Sequence, residues 1–323
     1  MTIDRRTFTS RLALGAMSAL AGGAAFSQDR QVRFVCPYAP GGGTDLLTRI
    51  VAQRFGDRTG ISTIVENRAG VGGILGHQYV AGAKPDGNTI LLGAIGPLSI
   101  APHLSKLPYD PQKDLAPLTM GAVFPNVLVV PPSLGVKTLA EFVDLAKKKT
   151  KSLDYASTGA GSAAHLSGEL FNARAGIDIV HIPYKGGSQA MVDILGGRVA
   201  SYYAAPPTAK QYMDAGKLIA LAVTGPARLP QMPTVPTIAE SGYPGFSALN
   251  WYAFLAPAKT PEALLDNLNK ELVAVLSLPD VQKELMGHGM QPQPGTRAEL
   301  AKYIADESAR YGKLIRERKI TGE

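Results

Sequence analysis

The chain has 323 residues, of which 45% are hydrophobic and 18% are charged. This balance excludes a disordered chain, which combines low hydrophobicity with high charge density, and the length suits two domains of about 150 residues each. The net charge of +7 is dispersed apart from one lysine cluster at 147–151, whereas nucleic-acid binders gather basic residues into a stripe with aromatic residues. Because Cys36 is the only cysteine and no pair of residues has zinc-ligand spacing, we expect no disulfide, no metal and no cofactor.

The first 27 residues are typical of an export signal. They begin with Arg5, Arg6 and Arg11, continue with the uncharged apolar run 12–26, and end in a small-residue cleavage pattern. The apolar run is shorter than the roughly 20 residues that cross a bilayer, and Arg5 with Arg6 is similar to a twin-arginine signal. We therefore expect an exported protein that works in the periplasm.

Short β-rich runs alternate with helical patterns through most of the remaining chain. The predicted strands are 31–37, 63–66, 89–94, 126–130, 153–157, 180–183, 199–204 and 219–224. One predicted helix follows the glycines at 70–73. The other predicted helices cover 45–55, 139–149, 163–175, 188–195 and 209–215. This alternation predicts parallel sheets with helices on both faces. The tail predicts three further helices, 261–276, 279–286 and 298–318, that pack on an earlier sheet.

Three glycine-rich loops, 41–44, 157–162 and 186–188, connect a predicted strand to a predicted helix. In α/β sheets, ligands bind beyond the carboxyl ends of the strands, where helix N-termini present unpaired backbone N–H groups and a positive dipole end. The loops carry small hydrogen-bonding side chains and almost no cation, which favours a small anion such as a carboxylate. The alternative is that they are only tight turns.

An enzymatic alternative rests on residues 186–190 (GGSQA), which stand where a nucleophile elbow would. Ser188 would be the nucleophile and His288 the base of a secreted serine hydrolase. However, Ala190 replaces the last glycine of that motif, and Ser188 is better explained as a helix N-cap. No histidine has a second histidine at i+3 or i+4, and 70–76 does not fit the dinucleotide-binding fingerprint. We therefore expect a protein that is not an enzyme.

Several segments together are similar, in order and spacing, to the extracytoplasmic solute-binding receptors of tripartite tricarboxylate transporters, the Bug family. These segments are 37–45 (PYAPGGGTD), 66–73 (ENRAGVGG), 107–110 (LPYD), 115–118 (LAPL), 181–186 (HIPYKG) and 221–224 (LAVT). The resemblance implies an α/β, two-lobed type II periplasmic binding protein fold with a ligand cleft between the lobes. After the export signal at 1–27, it implies lobe 1 at 28–125 completed by 255–323, and lobe 2 at 126–254. The crossovers would lie near 124–127 and 251–256.

The same resemblance implies a monomeric receptor that binds a small organic carboxylate and docks to membrane permease subunits, or to a sensor kinase, without binding nucleic acid. The implied site residues are Tyr38, Gly42, Gly43, Thr44 and Asp45 in one loop, Thr158, Gly159, Ser162 and His165 in a second, and Ala94, Gly96, Lys185 and Gly186 along the wall. Many relatives carry acidic residues where this chain has Ala200 and Ala204. Their replacement favours an acid without an amine, with Tyr202 or Tyr203 as an aromatic wall.

Overall fold

A computed structural model describes residues 31–149, 152–318 and 320–321, so the predicted export signal lies outside the described residues. The strands are β1 (Gln31–Cys36), β2 (Ser62–Asn67), β3 (Thr89–Ala94), β4 (Leu115–Pro125), β5 (Val127–Val130), β6 (Asp154–Ser157), β7 (Val180–Pro183), β8 (Ser201–Ala204), β9 (Ile219–Val223), β10 (Leu249–Pro257) and β11 (Gln291–Pro292). The helices are α1 (Gly43–Thr59), α2 (Ile74–Ala81), α3 (Leu139–Lys148), α4 (Ala163–Ala175), α5 (Gly187–Leu195), α6 (Pro206–Asp214), α7 (Glu262–Leu276), α8 (Pro279–Gly287) and α9 (Arg297–Arg318).

Helix boundaries follow local capping chemistry. Thr138 and Glu141 form a reciprocal capping box at the start of α3, each side chain accepting a hydrogen bond from the other residue's backbone N–H. Helices α1 and α4 each end at a glycine in the left-handed conformation, Gly60 and Gly176. A residue with a Cβ adopts that conformation at a cost, which explains why these helices stop at a glycine.

The strands form two sheets, and each sheet is the basis of one lobe. The first lobe has the six-stranded order β11-β4-β10-β3-β1-β2, and the second lobe has the five-stranded order β7-β6-β8-β5-β9. Strands joined through a helix, such as β1 with β2 and β6 with β7, run parallel as predicted. The prediction is wrong for β5, which runs antiparallel to its neighbours, and β10, where no strand was predicted, also runs antiparallel. Each of these strands enters its sheet from the other lobe, so no βαβ crossover fixes its direction.

The tail helices complete the first lobe, which confirms that the tail packs on an earlier sheet. Leu265, Leu268 and Leu272 of α7 lie in one buried cluster with Phe34 of β1. On the opposite face, Ile304 of α9 belongs to a buried cluster with residues of β3 and β10. The first sheet is therefore covered by helices on both faces, and its early and late segments form one core.

In the second lobe, β8 contributes to both faces of the sheet. Tyr202 packs among Met191 and Ile194 of α5, whereas Tyr203 packs among residues of α3 and α4 such as Phe142 and Phe171. This alternation is the period of a strand with both faces covered. Only one of the two tyrosines can therefore point to any given surface of the lobe.

The chain passes between the lobes at Asn126, the single residue between β4 and β5. Thr224, which follows β9, donates its backbone N–H to Asn126 O at 2.9 Å and accepts from Asn126 N through Oγ1 at 2.9 Å. The second expected crossover, 251–256, lies inside β10, which pairs with β4 from Leu249 to Pro257. The lobe limits derived from the sequence remain a prediction. Among the helices in the described ranges, none combines the length and apolarity needed to span a membrane.

Candidate functional site

The first glycine loop (residues 41–44) overlaps the first turn of α1, which begins at Gly43. Gly42 is the N-cap and, within the described chain, no side chain caps this helix. The buried carboxylate of Asp45 accepts hydrogen bonds from Gly41 N (3.0 Å), Arg49 Nε (2.9 Å) and Asn67 Nδ2 (2.8 Å). Burial alone would raise the pKa of Asp45, but these bonds outweigh burial and hold the pKa below its ordinary value. The ionised carboxylate therefore fixes the loop.

The second glycine loop (residues 157–162) follows β6 and is held by hydroxyl and imidazole side chains. Ser157 Oγ accepts from Gly159 N at 3.0 Å and lies 2.6 Å from His181 Nε2. Ser162 Oγ accepts from His165 N at 3.2 Å and caps α4, and the His165 and His181 rings stack at 4.1 Å. Burial lowers the pKa of His181 to about 4. At neutral pH this imidazole is therefore uncharged.

The third glycine loop (residues 186–188) opens α5 and faces the first glycine loop. Gly186 is the N-cap of α5, and within the described residues this helix also lacks a side-chain cap. A Cβ built on Gly42 would lie 3.7 Å from Gly187 N, so the N-termini of α1 and α5 stand opposite each other between the lobes. The expectation that Ser188 caps α5 is wrong because Ser188 is the second residue of the helix.

Direct hydrogen bonds join the lobes at these loops. Ser188 Oγ donates to Pro40 O at 2.7 Å, and Ala39 N donates to Lys185 O at 3.4 Å. The lobes therefore attract each other at these loops even without a solute, because the carbonyls of Pro40 and Lys185, next to the loops, accept bonds from the opposite lobe.

A second line of contact between the lobes is made of backbone alone. A Cβ built on Gly72 would lie 2.5 Å from Ala160 O, and one on Gly159 would lie 2.6 Å from Gly72 Cα. Similarly, a Cβ on Gly96 would lie 2.7 Å from Gly161 O. Gly72 and Gly159 also have φ angles of +61° and +122°, which side chains disfavour. This seam therefore requires glycine on both sides.

The fully buried His77 links the end of β3 to the loop before α2. Its Nδ1 lies 2.9 Å from Gly73 O, and its Nε2 accepts from Ala94 N at 3.3 Å. This pattern requires the neutral tautomer with the proton on Nδ1. Burial lowers the pKa of His77 to about 4, so the link persists at neutral pH.

The structure places the residues predicted for the site in three groups. The group at the contact between the lobes consists of Tyr38, Gly42, Gly43, Gly96, Thr158, Gly159 and Gly186. A second group, of buried residues, consists of Thr44, Asp45, Ala94, Ser162 and His165. The third group consists of Lys185 and Tyr203. Lys185 is exposed, although its carbonyl accepts the bond from Ala39 N. Tyr203 packs edge-on against Tyr155 at 5.8 Å in the second core.

Three residues near the contact were missed or left open by sequence reasoning. Tyr202 and Thr208 lie beside Gly187. A Cβ built on Gly187 would lie 2.9 Å from the Tyr202 hydroxyl and 3.3 Å from Thr208 Oγ1. Tyr252 lies within hydrogen-bonding reach of Thr44 and raises the pKa of both Tyr38 and Tyr202. Sequence reasoning missed Tyr252 because no strand was predicted at 249–257. The two-residue period of β8 is the signal that could have separated Tyr202 from Tyr203, since the two side chains lie on opposite faces of the sheet.

The geometry does not assemble a hydrolase around Ser188. Its hydroxyl donates to Pro40 O, and Ser188 is not among the residues that line the groove of about 360 Å³ containing His288, Gly41 and Asp214. The Ser157–His181 pair has hydrogen-bonding distance, but Ser157 is completely buried. Within the described ranges, no group of three or more His, Cys, Asp or Glu side chains is placed to hold a metal ion.

Comparisons with known proteins agree with this architecture. A family model described as "Tripartite tricarboxylate transporter family receptor" matches residues 47–320, and BugT of Bordetella pertussis is 36% identical over 290 residues, 89% of each chain. An R. palustris protein solved with adipate is 34% identical with a TM-score of 0.88, over 90% of this chain and 98% of that one. MatC from Rhodopseudomonas palustris with bound malate is 30% identical with a TM-score of 0.84, over 88% and 99%. These similarities confirm the predicted two-lobed periplasmic binding protein fold, and the chain belongs to the tripartite tricarboxylate transporter receptor family.

Proposed function

We propose that this receptor binds a small organic carboxylate between its lobes in the periplasm and delivers it to a tripartite tricarboxylate-type membrane permease. Two relatives support a carboxylate, since one was solved with adipate and the other with malate. The receptor would act as a monomer and catalyse no reaction.

The opposed N-termini of α1 and α5 carry this proposal. Each helix N-terminus is equivalent to about half a positive charge, and both lack a side-chain cap within the described chain. Two like partial charges facing each other repel, and an anion between them turns that repulsion into attraction on both sides. A carboxylate accepts backbone N–H bonds from both termini, so no salt bridge is needed.

The proposed ligand contacts include most residues predicted from the sequence. They are Tyr38, Gly42, Gly43, Thr44, Ala94, Gly96, Thr158, Gly159, Ser162 and Gly186, with Tyr202 in place of Tyr203. Asp45 and His165 would position the loops, because the oxygens of Asp45 are already bonded to Gly41, Arg49 and Asn67.

Ligand binding would close the lobes about a hinge at Asn126 and Thr224. These residues bond to each other, and Thr224 Oγ1 also donates to Ala248 O at 2.6 Å just before β10. We therefore propose that the return to the first lobe precedes Leu249. Hinges concentrate their change at a few residues at the ends of elements, and this cluster holds both connections between the lobes.

Gly43→Val tests the site directly. Gly43 has ordinary backbone angles, but a Cβ there would lie 3.3 Å from Ala205 Cβ of the second lobe. The larger side chain should abolish thermal stabilisation by mono-, di- and tricarboxylates and leave the unliganded melt nearly unchanged. Gly287→Val is the matched control because a Cβ on Gly287 meets nothing within 4 Å. Normal affinity of Gly43→Val in calorimetry would remove this loop from the site.

Small-angle scattering tests closure separately. The radius of gyration should fall when a carboxylate confirmed by calorimetry saturates the protein. Superimposable curves at saturation would mean that the lobes are closed before the ligand binds.

Deleting the gene tests delivery to a permease. Cells without the receptor should lose uptake of the bound acid, whereas a receptor that serves only a sensor kinase would leave uptake intact.

A further inference from the structure

A groove of about 840 Å³ lies in the first lobe, between α2 and the edge of the sheet formed by β1 and β2. We call it the arginine groove. Its volume is in the range of pockets that hold small molecules. No residue of the three glycine loops is among the described residues that line it, so it is separate from the proposed carboxylate site. Its polar lining includes Arg33, Arg68, Gln78, Tyr79, Lys84 and Asp86.

Tyr79 of α2 holds both arginines in place. Arg33 Nη1 donates to the Tyr79 hydroxyl at 2.5 Å, and the guanidinium carbon of Arg68 lies 3.5 Å from the centroid of the Tyr79 ring. The hydrogen bond and the stacking on an aromatic face each restrict a long side chain that would otherwise be mobile. Both guanidinium groups therefore stand at the wall of the groove before a ligand arrives, and binding does not have to order them.

The two arginines share one carboxylate. Glu66 Oε1 lies 2.5 Å from Arg68 Nη2, and Glu66 Oε2 lies 3.2 Å from Arg33 Nε. The second contact lacks hydrogen-bond geometry, and within the described chain neither Arg33 Nε nor Arg68 Nε has a hydrogen-bond partner, although both atoms are buried. Glu66 is not among the described residues that line the groove, whereas both arginines are. The arginine pair therefore keeps one uncompensated positive charge at the groove.

The remaining lining does not cancel this charge. Lys84 adds a third cation, and Asp86 adds a carboxylate whose Oδ1 already accepts from Asn88 N at 2.9 Å. With Glu66 behind the arginines, the groove has three cations and two carboxylates. A partly buried cation without a counter-charge is destabilising, and a planar guanidinium matches the oxygens of an anion through two parallel hydrogen bonds. The charge balance therefore favours an anionic occupant.

We infer that the arginine groove binds a phosphate group, carried by a small solute or by a lipid headgroup. A phosphate group presents at least three acceptor oxygens, whereas a carboxylate presents two. A phosphate can therefore accept hydrogen bonds from Arg33 and Arg68 together and present a further oxygen to Lys84. Its negative charge compensates the positive charge that Glu66 leaves. This site goes beyond the proposed function, because the cleft between the lobes can hold its acid while the groove is empty.

Titration with inorganic phosphate, followed by calorimetry at neutral pH and low salt, tests the site. Arg68→Gln removes the charge, and Arg68→Lys keeps the charge but loses the planar fork. Each variant should weaken phosphate binding by at least about tenfold. Arg228→Gln is the matched control, because Arg228 also pairs with a carboxylate, that of Glu240, in the second lobe. This control should bind phosphate as tightly as the parent protein.

Tyr79→Phe provides a second variant that leaves both arginines in the chain. It keeps the ring under Arg68 and removes the hydroxyl that holds Arg33, so phosphate binding should weaken by a few-fold. A thermal melt without ligand verifies that every variant folds. Acetate should bind to the parent protein at least about tenfold more weakly than phosphate, because it has fewer acceptor oxygens.

Gly43→Val separates the groove from the cleft, because phosphate also suits the opposed N-termini of α1 and α5. Phosphate binding should persist in Gly43→Val and be lost in Arg68→Gln. The reverse pattern would place the phosphate in the cleft and overturn the inference, while the proposed function would stand. Conversely, phosphate binding lost only in Arg68→Gln, in a protein that binds no carboxylate, would support the groove and overturn the proposed function alone.

Flotation with vesicles of phosphatidylglycerol distinguishes the two sources of the phosphate group. Protein that floats with the vesicles, and no longer does so as Arg68→Gln, identifies a lipid headgroup. Phosphate binding in calorimetry without flotation identifies a small solute. The inference is overturned if neither probe binds, if acetate binds as tightly as phosphate, or if Arg228→Gln weakens phosphate binding as much as Arg68→Gln does.

Discussion

The first and second glycine loops both contact the opposite lobe, yet different chemistry holds each loop in place. The ionised Asp45 fixes the first loop through Gly41, Asn67 and Arg49. The second loop is held instead by Ser157, whose hydroxyl bonds Gly159 N and His181, and by the stacked imidazoles of His165 and His181. A short glycine motif is therefore not rigid by itself. Side chains from elsewhere in the chain hold it in place, and these side chains differ between loops of similar composition.

The loops also differ in how closely they approach the opposite lobe. A Cβ on Gly42 in the first loop would make ordinary contact, 3.7 Å from Gly187 N. A Cβ on Gly159 in the second loop would lie 2.6 Å from Gly72 Cα. The same substitution should therefore have unequal effects on closure.

The largest effect is expected for Gly159→Ala. The methyl group would overlap the Gly72 backbone and occupy a disfavoured φ of +122°, so the closed arrangement should fail to form. We expect affinity for the best-binding acid to fall by about 100-fold. Gly176→Ala is the matched control because Gly176 has φ +64° but open space around its Cβ position. Equal loss of affinity in both variants would contradict a role for the seam.

Asp45→Ala should destabilise the first loop and the fold by about 2 kcal/mol, because three hydrogen bonds to a carboxylate are lost. Asp57→Ala, which removes an exposed partner of Arg54 on the same helix, should change stability by less than about 0.5 kcal/mol. Urea denaturation measures both. The Asp45 contribution should be complete above pH 3.8 and disappear as the pH falls through the lowered pKa of the folded protein. Equal stabilities of the two variants would show that the Asp45 network is dispensable.

The second loop should respond to milder acid. His181 has its pKa lowered by burial from 6.5 to about 4, so between these values the unfolded chain binds a proton that the folded chain does not. Stability should therefore decrease as the pH falls from 6.5 to 4, by up to about 1.4 kcal/mol per pH unit. His181→Gln should reduce this slope in urea denaturation. Part of the slope should remain, because burial also lowers the pKa of His77. An unchanged slope would mean that His181 is already charged in the folded protein.

The smallest effect is expected for Ser188→Ala, which removes the hydrogen bond to Pro40 O between the lobes. Affinity for a carboxylate should fall by no more than about tenfold, since one neutral bond contributes about 1 kcal/mol. A p-nitrophenyl ester assay provides the second measurement. Hydrolysis that is present in the parent protein and lost in this variant would revive the hydrolase alternative.

Sequence pattern alone predicted the alternating strands and helices, the amphipathic tail and the glycine loops at helix starts. These features depend on local periodicity and on backbone conformations that favour glycine. The family resemblance rests on the same loops, because their motifs are short and contiguous. The same resemblance led to Tyr38, Gly42 and Gly159, which lie within or beside such motifs.

Only the tertiary structure decided how distant segments meet. Strand β10 runs antiparallel in the first sheet and brings Tyr252 to the cleft, although no strand was predicted at 249–257. Asn67 is bonded to Asp45 from 22 residues away, and Thr208 is placed beside Gly187 by the packing of two helices. Such contacts depend on the path of the whole chain, since side chains distant in sequence become neighbours only when both lobes have folded.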